Sequence, residues 1–307
     1  MMSTSQVRTS LAHNYFAASS IEEALAYLSV HRGEAQLVAG GTDLWPRVQS
    51  GDLVVDRLVD VSHVLAMKKI SRENGYLILG GAVTFAALQQ DEMVREQAPL
   101  LWSAAKQMGT PEVRSLATLA GNVVTALGNA DGAVTLVALD AEVEITNLTG
   151  SQWLPVETLF VRNGVSRVDS TSEIVTAIRF NSLRPNQGMA LERISPRNPG
   201  ERPSLVLAMV LSLGRDGKTI EWASVATGAV DSVPLRFSGL EELLGGLRLD
   251  DVRAREMLPA LVHDSVVASG LFDGALVSHA DVVALGRKAF RRALAAALGE
   301  PVSGNGR

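Results

Sequence analysis

Cysteine is missing from all 307 residues. That excludes disulfides, thiol nucleophiles and any iron–sulfur cluster held by this chain's own thiolates. No apolar run approaches the roughly 20 residues a membrane helix needs. The stretch from Met1 to Asn14 is Ser/Thr-rich without an apolar centre, so no secretory signal is expected. A cytoplasmic protein without membrane insertion is the resulting expectation. Net charge is -5 with no dense basic stripe, which argues against nucleic acid or an anionic membrane as partner. The five histidines (His13, His31, His63, His263 and His279) have no partners at metal-ligand spacing, so no bound metal is expected. Also absent are a G-x-G-x-x-G turn, a G-K-[ST] phosphate loop, a G-x-S-x-G elbow and an H-E-x-x-H pair. Glu142 and Glu144 share one face of an alternating run, which reads as an exposed strand edge and not as an acid/base dyad. No catalytic constellation emerges, so any chemistry must come from a cofactor.

Two segments stand out in what is present. Leu37-Val38-Ala39-Gly40-Gly41-Thr42-Asp43-Leu44 and, later, Thr118-Leu119-Ala120-Gly121-Asn122 each look like a short strand-like apolar run breaking into small residues and a hydrogen-bonding side chain. Gly40 and Gly41 can adopt positive φ and bring backbone amides close to an anion. Thr42 adds a hydroxyl donor, and amides at a following helix start share the negative charge. Asp43 cannot face phosphates and is expected to cap the next turn or hold the loop. A bound diphosphate fits two such breaks in one unit. Taken alone, the first segment also fits a plain strand-to-helix turn.

The remaining pattern is α+β, with strands and helices interspersed in both halves. Ser20 and Glu23 form a capping box ahead of Ile21, Ala24, Leu25 and Leu28 at helical spacing. Short strands are predicted at 36–39, 58–61, 76–79, 142–146 and 172–180, and a helix at 98–108. Asn181 to Gly188 carries proline, glycine and asparagine and is the best internal boundary. Beyond it, 205–213 and 219–227 read as strands joined near Asp216-Gly217, followed by helices at 239–244, 250–262 and from about His279. In the last helix Val282, Leu285, Ala289 and Ala293 share a face; Arg287, Lys288, Arg291 and Arg292 lie opposite, most simply solvated, with partner docking as the other reading.

Together these segments resemble the FAD-binding (medium) subunits of molybdenum hydroxylases, the xanthine dehydrogenase and aerobic carbon monoxide dehydrogenase type. The resemblance runs from about Tyr15 to Leu298. The family's first flavin loop, A-G-G-[TH]-[DS]-L, is met by Ala39 to Leu44. Its second, T-I-G-G-N, is met by Thr118, Leu119, Gly121 and Asn122, with Ala120 in place of the first glycine. Asp131 occupies the position of a family aspartate that contacts the cofactor; it also fits a cap for a helix beginning near Ala133. Gly128 stands where relatives have proline. Asp60-Val61 resembles the family's L-x-D-[LV], and Gly80 to Thr84 its G-A-x-T turn. Val175 takes a place that lies along the flavin in relatives. Leu191 to Arg197 resembles F-x-K-x-x-R-R, with Glu192 where a lysine is usual and Arg193 beside it, so Arg193 either supplies the basic group or the flavin is tuned differently.

The resemblance implies a PCMH-type FAD-binding fold: residues 1–180 in two α/β subdomains (about 1–62 and 63–180), then a C-terminal α/β domain (188–300) with a three-stranded antiparallel sheet. FAD is the implied cofactor. The implied role is electron relay from 2Fe-2S clusters on a small subunit, fed by a molybdopterin large subunit, to NAD+, oxygen or another acceptor. The competing readings are a stand-alone flavin-dependent oxidase or reductase and a flavin-free assembly subunit.

Overall fold

A computed structural model describes residues 14–195, 203–249 and 278–300. The predicted helix at 250–262, Arg197, His13, His263 and the first thirteen residues fall outside these.

The chain begins with a small parallel sheet. β1 (Tyr15–Ala17), α1 (Ile21–Val30), β2 (Ala35–Val38), α2 (Leu44–Ser50) and β3 (Arg57–Asp60) give strand order β1-β3-β2. Ser20 caps α1 by accepting from the Glu23 amide at 3.1 Å. The returning arm of the expected capping box lands one residue earlier, where Glu23 accepts from the Ser19 amide and hydroxyl, both at 2.6 Å. Ala24, Leu25 and Leu28 are buried, as their spacing predicts.

A five-stranded antiparallel sheet follows, ordered β4-β5-β10-β6-β7, from β4 (Ile70–Glu73), β5 (Tyr76–Gly80), β6 (Glu142–Asn147), β7 (Gly150–Pro155) and β10 (Ile174–Asn181). The strands β8 (Phe160–Arg162) and β9 (Val165–Ser166) form a separate hairpin. Between β5 and β6 run short helices: α3 (Phe85–Gln90), α4 (Glu92–Gln97), α5 (Pro99–Gln107), α6 (Pro111–Leu116), α7 (Leu119–Val124) and α8 (Asp131–Ala138). Pro99 opens α5, where its missing N–H costs nothing. Leu100, Leu101, Ala104 and Ala105 bury the face that holds α5 down. β6 lies inside the sheet, flanked by β10 and β7, so Glu142 and Glu144 are not at an edge. Glu142 pairs with Arg179 at 2.8 Å and Glu144 accepts from the Thr176 hydroxyl at 2.6 Å.

The last sheet is the expected antiparallel trio β11 (Gln187–Ile194), β12 (Leu205–Leu213) and β13 (Ile220–Gly228), to which the two-residue β14 (Leu235–Arg236) adds a fourth strand. Every residue of β12 is buried, because both its faces are covered. One face, with Val206, Ala208 and Val210, joins the core that α5, α7 and α8 share with the five-stranded sheet. The other, with Leu205, Leu207, Met209 and Leu211, packs against α9 (Ser238–Leu244) and α10 (His279–Ala297). α10 buries Val282, Leu285, Ala289 and Ala293 as its spacing predicts. Its basic side is not simply solvated: Lys288 and Arg292 pair with the buried Glu192 carboxylate at 2.8 and 2.5 Å. Two cations around one carboxylate compensate the desolvation that a lone buried charge would suffer.

Candidate functional site

The turn after β2 is built by two glycines with different tasks. Gly41 has φ +68°, left-handed backbone that side chains rarely adopt. Gly40 has ordinary φ, and a Cβ there would fall 2.0 Å from the Leu116 carbonyl oxygen. Its absent side chain therefore serves close approach to the α6–α7 junction and not to a ligand. In this way the two sequence segments are brought against one another. The amides of Gly40, Gly41 and Thr42 have no acceptor among the described residues. Asp43 sits at the N-cap of α2 but makes no side-chain cap bond, so of the two roles expected for it, capping and holding the loop, the first is not observed.

The second segment is not a strand breaking into a loop. Thr118 is an N-cap, its hydroxyl accepting from the Gly121 amide at 3.0 Å, and Leu119 begins α7. Leu119 and Val123, four apart, are buried on one face. Ala120 lies within this helix, where no positive φ is required, so alanine is no obstacle there. Asn122 reaches across to α8: its Oδ1 accepts from the Ala133 amide at 3.0 Å. That capping task is the one considered for Asp131. Asp131 is instead the first residue of α8, buried at 5% exposure and paired with Arg193 at 3.1 Å.

These elements frame a cleft of about 600 Å³, within the roughly 300–1,000 Å³ of ligand sites. It is lined by Leu37 through Leu44, by Thr118, Gly121 and Asn122, and by Asp131 and Arg193. Three expected positions lie elsewhere. Leu119 and Ala120 face the core beneath α7, and Val175 is buried in β10, whose two faces are both covered there: Ile174 packs with the core of the small parallel sheet and Val175 with that of the five-stranded sheet. Glu192 is also away from the cleft, because neighbouring residues on β11 point to opposite faces. Glu192 meets α10 while Arg193 faces the cleft, where its guanidinium donates to the Gln107 carbonyl at 2.8 Å, to Asp131, and to the Ser195 hydroxyl at 2.7 Å.

Other walls were not singled out from the sequence. Met108, Gly109 and Thr110 form one; Gly109 is left-handed at φ +50° and Thr110 caps α6. Another is the run from Gly164 to Thr171, tied to β2 by the Leu37 amide donating to the Ser170 carbonyl at 2.9 Å. There the Thr171 hydroxyl, at 2.7 Å, leads in holding the Asp169 carboxyl below its usual range, against desolvation. The signals were Gly109-Thr110-Pro111 and Asp169-Ser170-Thr171, turn and cap sequences that are common in loops of any purpose. Arg47 and Arg193 bring positive charge to the same cleft. Unpaired amides with nearby arginines suit an extended anion; a buried carboxylate beside them accepts hydrogen bonds from hydroxyl or N–H groups.

Among the described residues, no group of three or more His, Asp or Glu is placed to hold a metal, and no helix is long and apolar enough to cross a membrane.

Comparison with known proteins gives the same frame. The family described as the FAD binding domain in molybdopterin dehydrogenase matches residues 8–181. The chain is 26% identical over 255 residues to the nicotinate dehydrogenase FAD-subunit of Eubacterium barkeri, covering 82% of this chain and 86% of that one. To the carbon monoxide dehydrogenase medium chain of Hydrogenophaga pseudoflava it is 25% identical over 232 residues, covering 75% and 79%. The fold is similar to the carbon monoxide dehydrogenase structure from the same organism, with TM-score 0.82 at 23% identity over 92% of this chain and 97% of that one. It is also similar to quinoline 2-oxidoreductase from Pseudomonas putida 86, with TM-score 0.77 at 19% identity over 93% and 96%. The chain belongs to the FAD-binding domain family of molybdopterin dehydrogenases and is an FAD-binding subunit of an oxidoreductase of the molybdenum hydroxylase type.

Proposed function

We propose that this chain is the flavin relay of a multi-subunit dehydrogenase: it takes electrons from 2Fe-2S clusters on a small partner subunit, fed by a molybdopterin large subunit, and passes them to NAD+, oxygen or another acceptor. The observation that carries the reading is the cleft itself, lined by Gly40, Gly41 and Thr42, whose amides have no acceptor among the described residues, and by α7, Asp131 and Arg193. Bound FAD supplies the chemistry of such a junction, since it can take up electrons singly and release them as a pair.

The chain's own residues bind and orient. The amides of Gly40, Gly41 and Thr42 would hold the diphosphate, with the Thr42 hydroxyl beside them and Arg47 contributing charge. The Asp131 carboxylate would accept from a hydroxyl or ring N–H of the cofactor. Arg193 would keep that carboxylate compensated and add positive charge to the same wall, which favours an anionic form of a nearby ring. We further assign residues 1–180 to an FAD-binding domain of two subdomains that divide near residue 62, and residues 188–300 to a C-terminal domain packed on it through a shared core.

A dye-linked assay on the isolated, FAD-loaded chain tests the relay. Oxidation of NADH with an artificial acceptor, and no turnover of organic hydroxylation substrates, is the expected result. Turnover of an organic substrate by this chain alone would replace the relay by a stand-alone flavoenzyme.

A further inference from the structure

One wall of the cleft, Leu127 to Asp131, is held in part by residues that do not themselves line the cleft. The Ala229 amide donates to the Gly128 carbonyl at 2.9 Å. A Cβ on Gly128 would lie 2.4 Å from the Asp231 carbonyl oxygen, and a Cβ on Gly228 would lie 2.5 Å from the Gly128 oxygen and 2.4 Å from a Val134 methyl. Two glycines thus meet backbone to backbone at a junction closed to any side chain. Non-glycine residues flank it in left-handed backbone, Ala126 at φ +51° and Ala229 at φ +71°. Alanine keeps such a conformation where its surroundings over-determine it.

The other end of the wall is pinned from the same sheet. Arg193, on β11, joins Asp131 at 3.1 Å to the Gln107 carbonyl at 2.8 Å. α8, which continues from the wall, is gripped further along: the Ser224 hydroxyl donates to the Ala138 carbonyl at 2.6 Å, and Arg236 pairs with Asp140. Arg193, Ser224, Gly228, Ala229, Asp231 and Arg236 all lie beyond residue 181, where the family match ends. Leu127 and Asn129 line the cleft, whereas Gly128, Gly228, Ala229 and Asp231 do not.

We propose that the C-terminal sheet is a working part of the FAD site: its 228–231 turn and Arg193 hold the Leu127–Asp131 wall in the form that receives the cofactor, and Gly128 and Gly228 are positioning residues for FAD. The inference rests on the FAD-binding reading of the cleft. A substitution at Gly228 touches nothing that lines the cleft, so its effect on FAD must pass through the wall. Coupling of this kind is reciprocal: if the clasp steadies the wall for FAD, bound FAD must steady the clasp.

Two measurements on the full chain decide it. Hydrogen exchange of the wild type, with and without FAD, is expected to show slower exchange on binding in 226–232 as well as in 126–131. Titration of Gly228→Ala with FAD, followed by flavin fluorescence, is expected to give about tenfold weaker binding, the scale of losing a supporting contact, while the FAD-free melting transition stays cooperative. Exchange in 226–232 that ignores FAD overturns the proposal, as does a folded Gly228→Ala chain with wild-type affinity. If that variant does not fold, the wild-type exchange alone decides. A wild type that binds no FAD defeats the underlying cleft reading; one that binds FAD with a silent 226–232 segment defeats this inference alone.

Discussion

Replacing Gly41 with valine separates backbone conformation from space. A Cβ at Gly41 would find only a Val38 methyl at 3.5 Å, an ordinary contact, so steric room is not at stake. The φ of +68° is. Holding an L-residue there costs about 1–2 kcal/mol, and more for a β-branched one. The chain escapes that strain by turning the peptide planes of the loop, which moves the amides of Gly40, Gly41 and Thr42 away from a common target. Each charge-assisted bond from such an amide to phosphate contributes about 1.5–3 kcal/mol. Losing one weakens FAD binding by roughly ten- to a hundredfold or more. FAD-free stability should fall by no more than the strain itself, a shift of about 2–4 °C per kcal/mol in Tm for a chain of this order of size. Flavin fluorescence titration beside thermal melting reads both quantities. Gly41→Asn is the control, because asparagine tolerates left-handed backbone, and should retain most of the affinity. Full flavin occupancy in Gly41→Val, or equal loss in both variants, would refute the reasoning.

Further outcomes follow from the same geometry. Gly40→Ala should be the more damaging change to folding, by about 1–3 kcal/mol, because its Cβ meets the Leu116 carbonyl oxygen at 2.0 Å; a Tm equal to wild type would contradict this. Asp131→Ala should weaken FAD while the far-ultraviolet dichroism is retained, since Asn122 and not Asp131 caps α8; an unchanged dissociation constant would remove Asp131 from the site. Glu192→Ala should lower the Tm by unpairing Lys288 and Arg292 but leave FAD affinity unaltered, and a large affinity loss would place Glu192 in the cleft's service after all. Partial desolvation of the hydroxyl on an otherwise half-exposed side chain, followed by the hydrogen bond it donates to Asp60, pushes Tyr15 up to about 12. A raised tyrosine favours the native state below the unfolded value of about 10 and loses that contribution as pH climbs through the window from about 10 to 12. Tyr15→Phe should therefore flatten the alkaline decline in stability within that window; identical declines would show that Tyr15 does not titrate as described.

Much of this was legible from residue order because local chemistry agreed with tertiary structure. Pro99 opening α5, the buried spacing of Ile21–Val30 and His279–Ala297, and the Asp216-Gly217 turn between β12 and β13 are short-range signals that the fold retains. Thr118-Leu119-Ala120-Gly121-Asn122 reads either way because a six-residue helix and a short apolar strand look alike in a run of small residues; the deciding feature is the Gly121 amide donating to the Thr118 hydroxyl, which the sequence does not announce because threonine is also common in strands. The directions of Val175, Glu192 and Arg193 were not legible for a related reason. Which face of a strand meets the cleft and which meets another core is set by tertiary packing: Val175 enters the core of the five-stranded sheet, and Glu192 meets α10 while its neighbour Arg193 faces the cleft. The Met108–Thr110 and Gly164–Thr171 walls, the Gly40–Leu116 approach and the Gly128–Gly228 junction are contacts between distant segments, which no local pattern announces.

The Gly40, Gly41 and Thr42 amides, without an acceptor among the described residues, are proposed to hold the diphosphate of FAD. A structure of the chain with FAD bound tests it most directly. Phosphate oxygens are expected within hydrogen-bonding distance of the Gly40, Gly41 and Thr42 amides, with Asp131 accepting from the cofactor across the cleft. FAD seated with its phosphates elsewhere, those amides still without a partner, would contradict it.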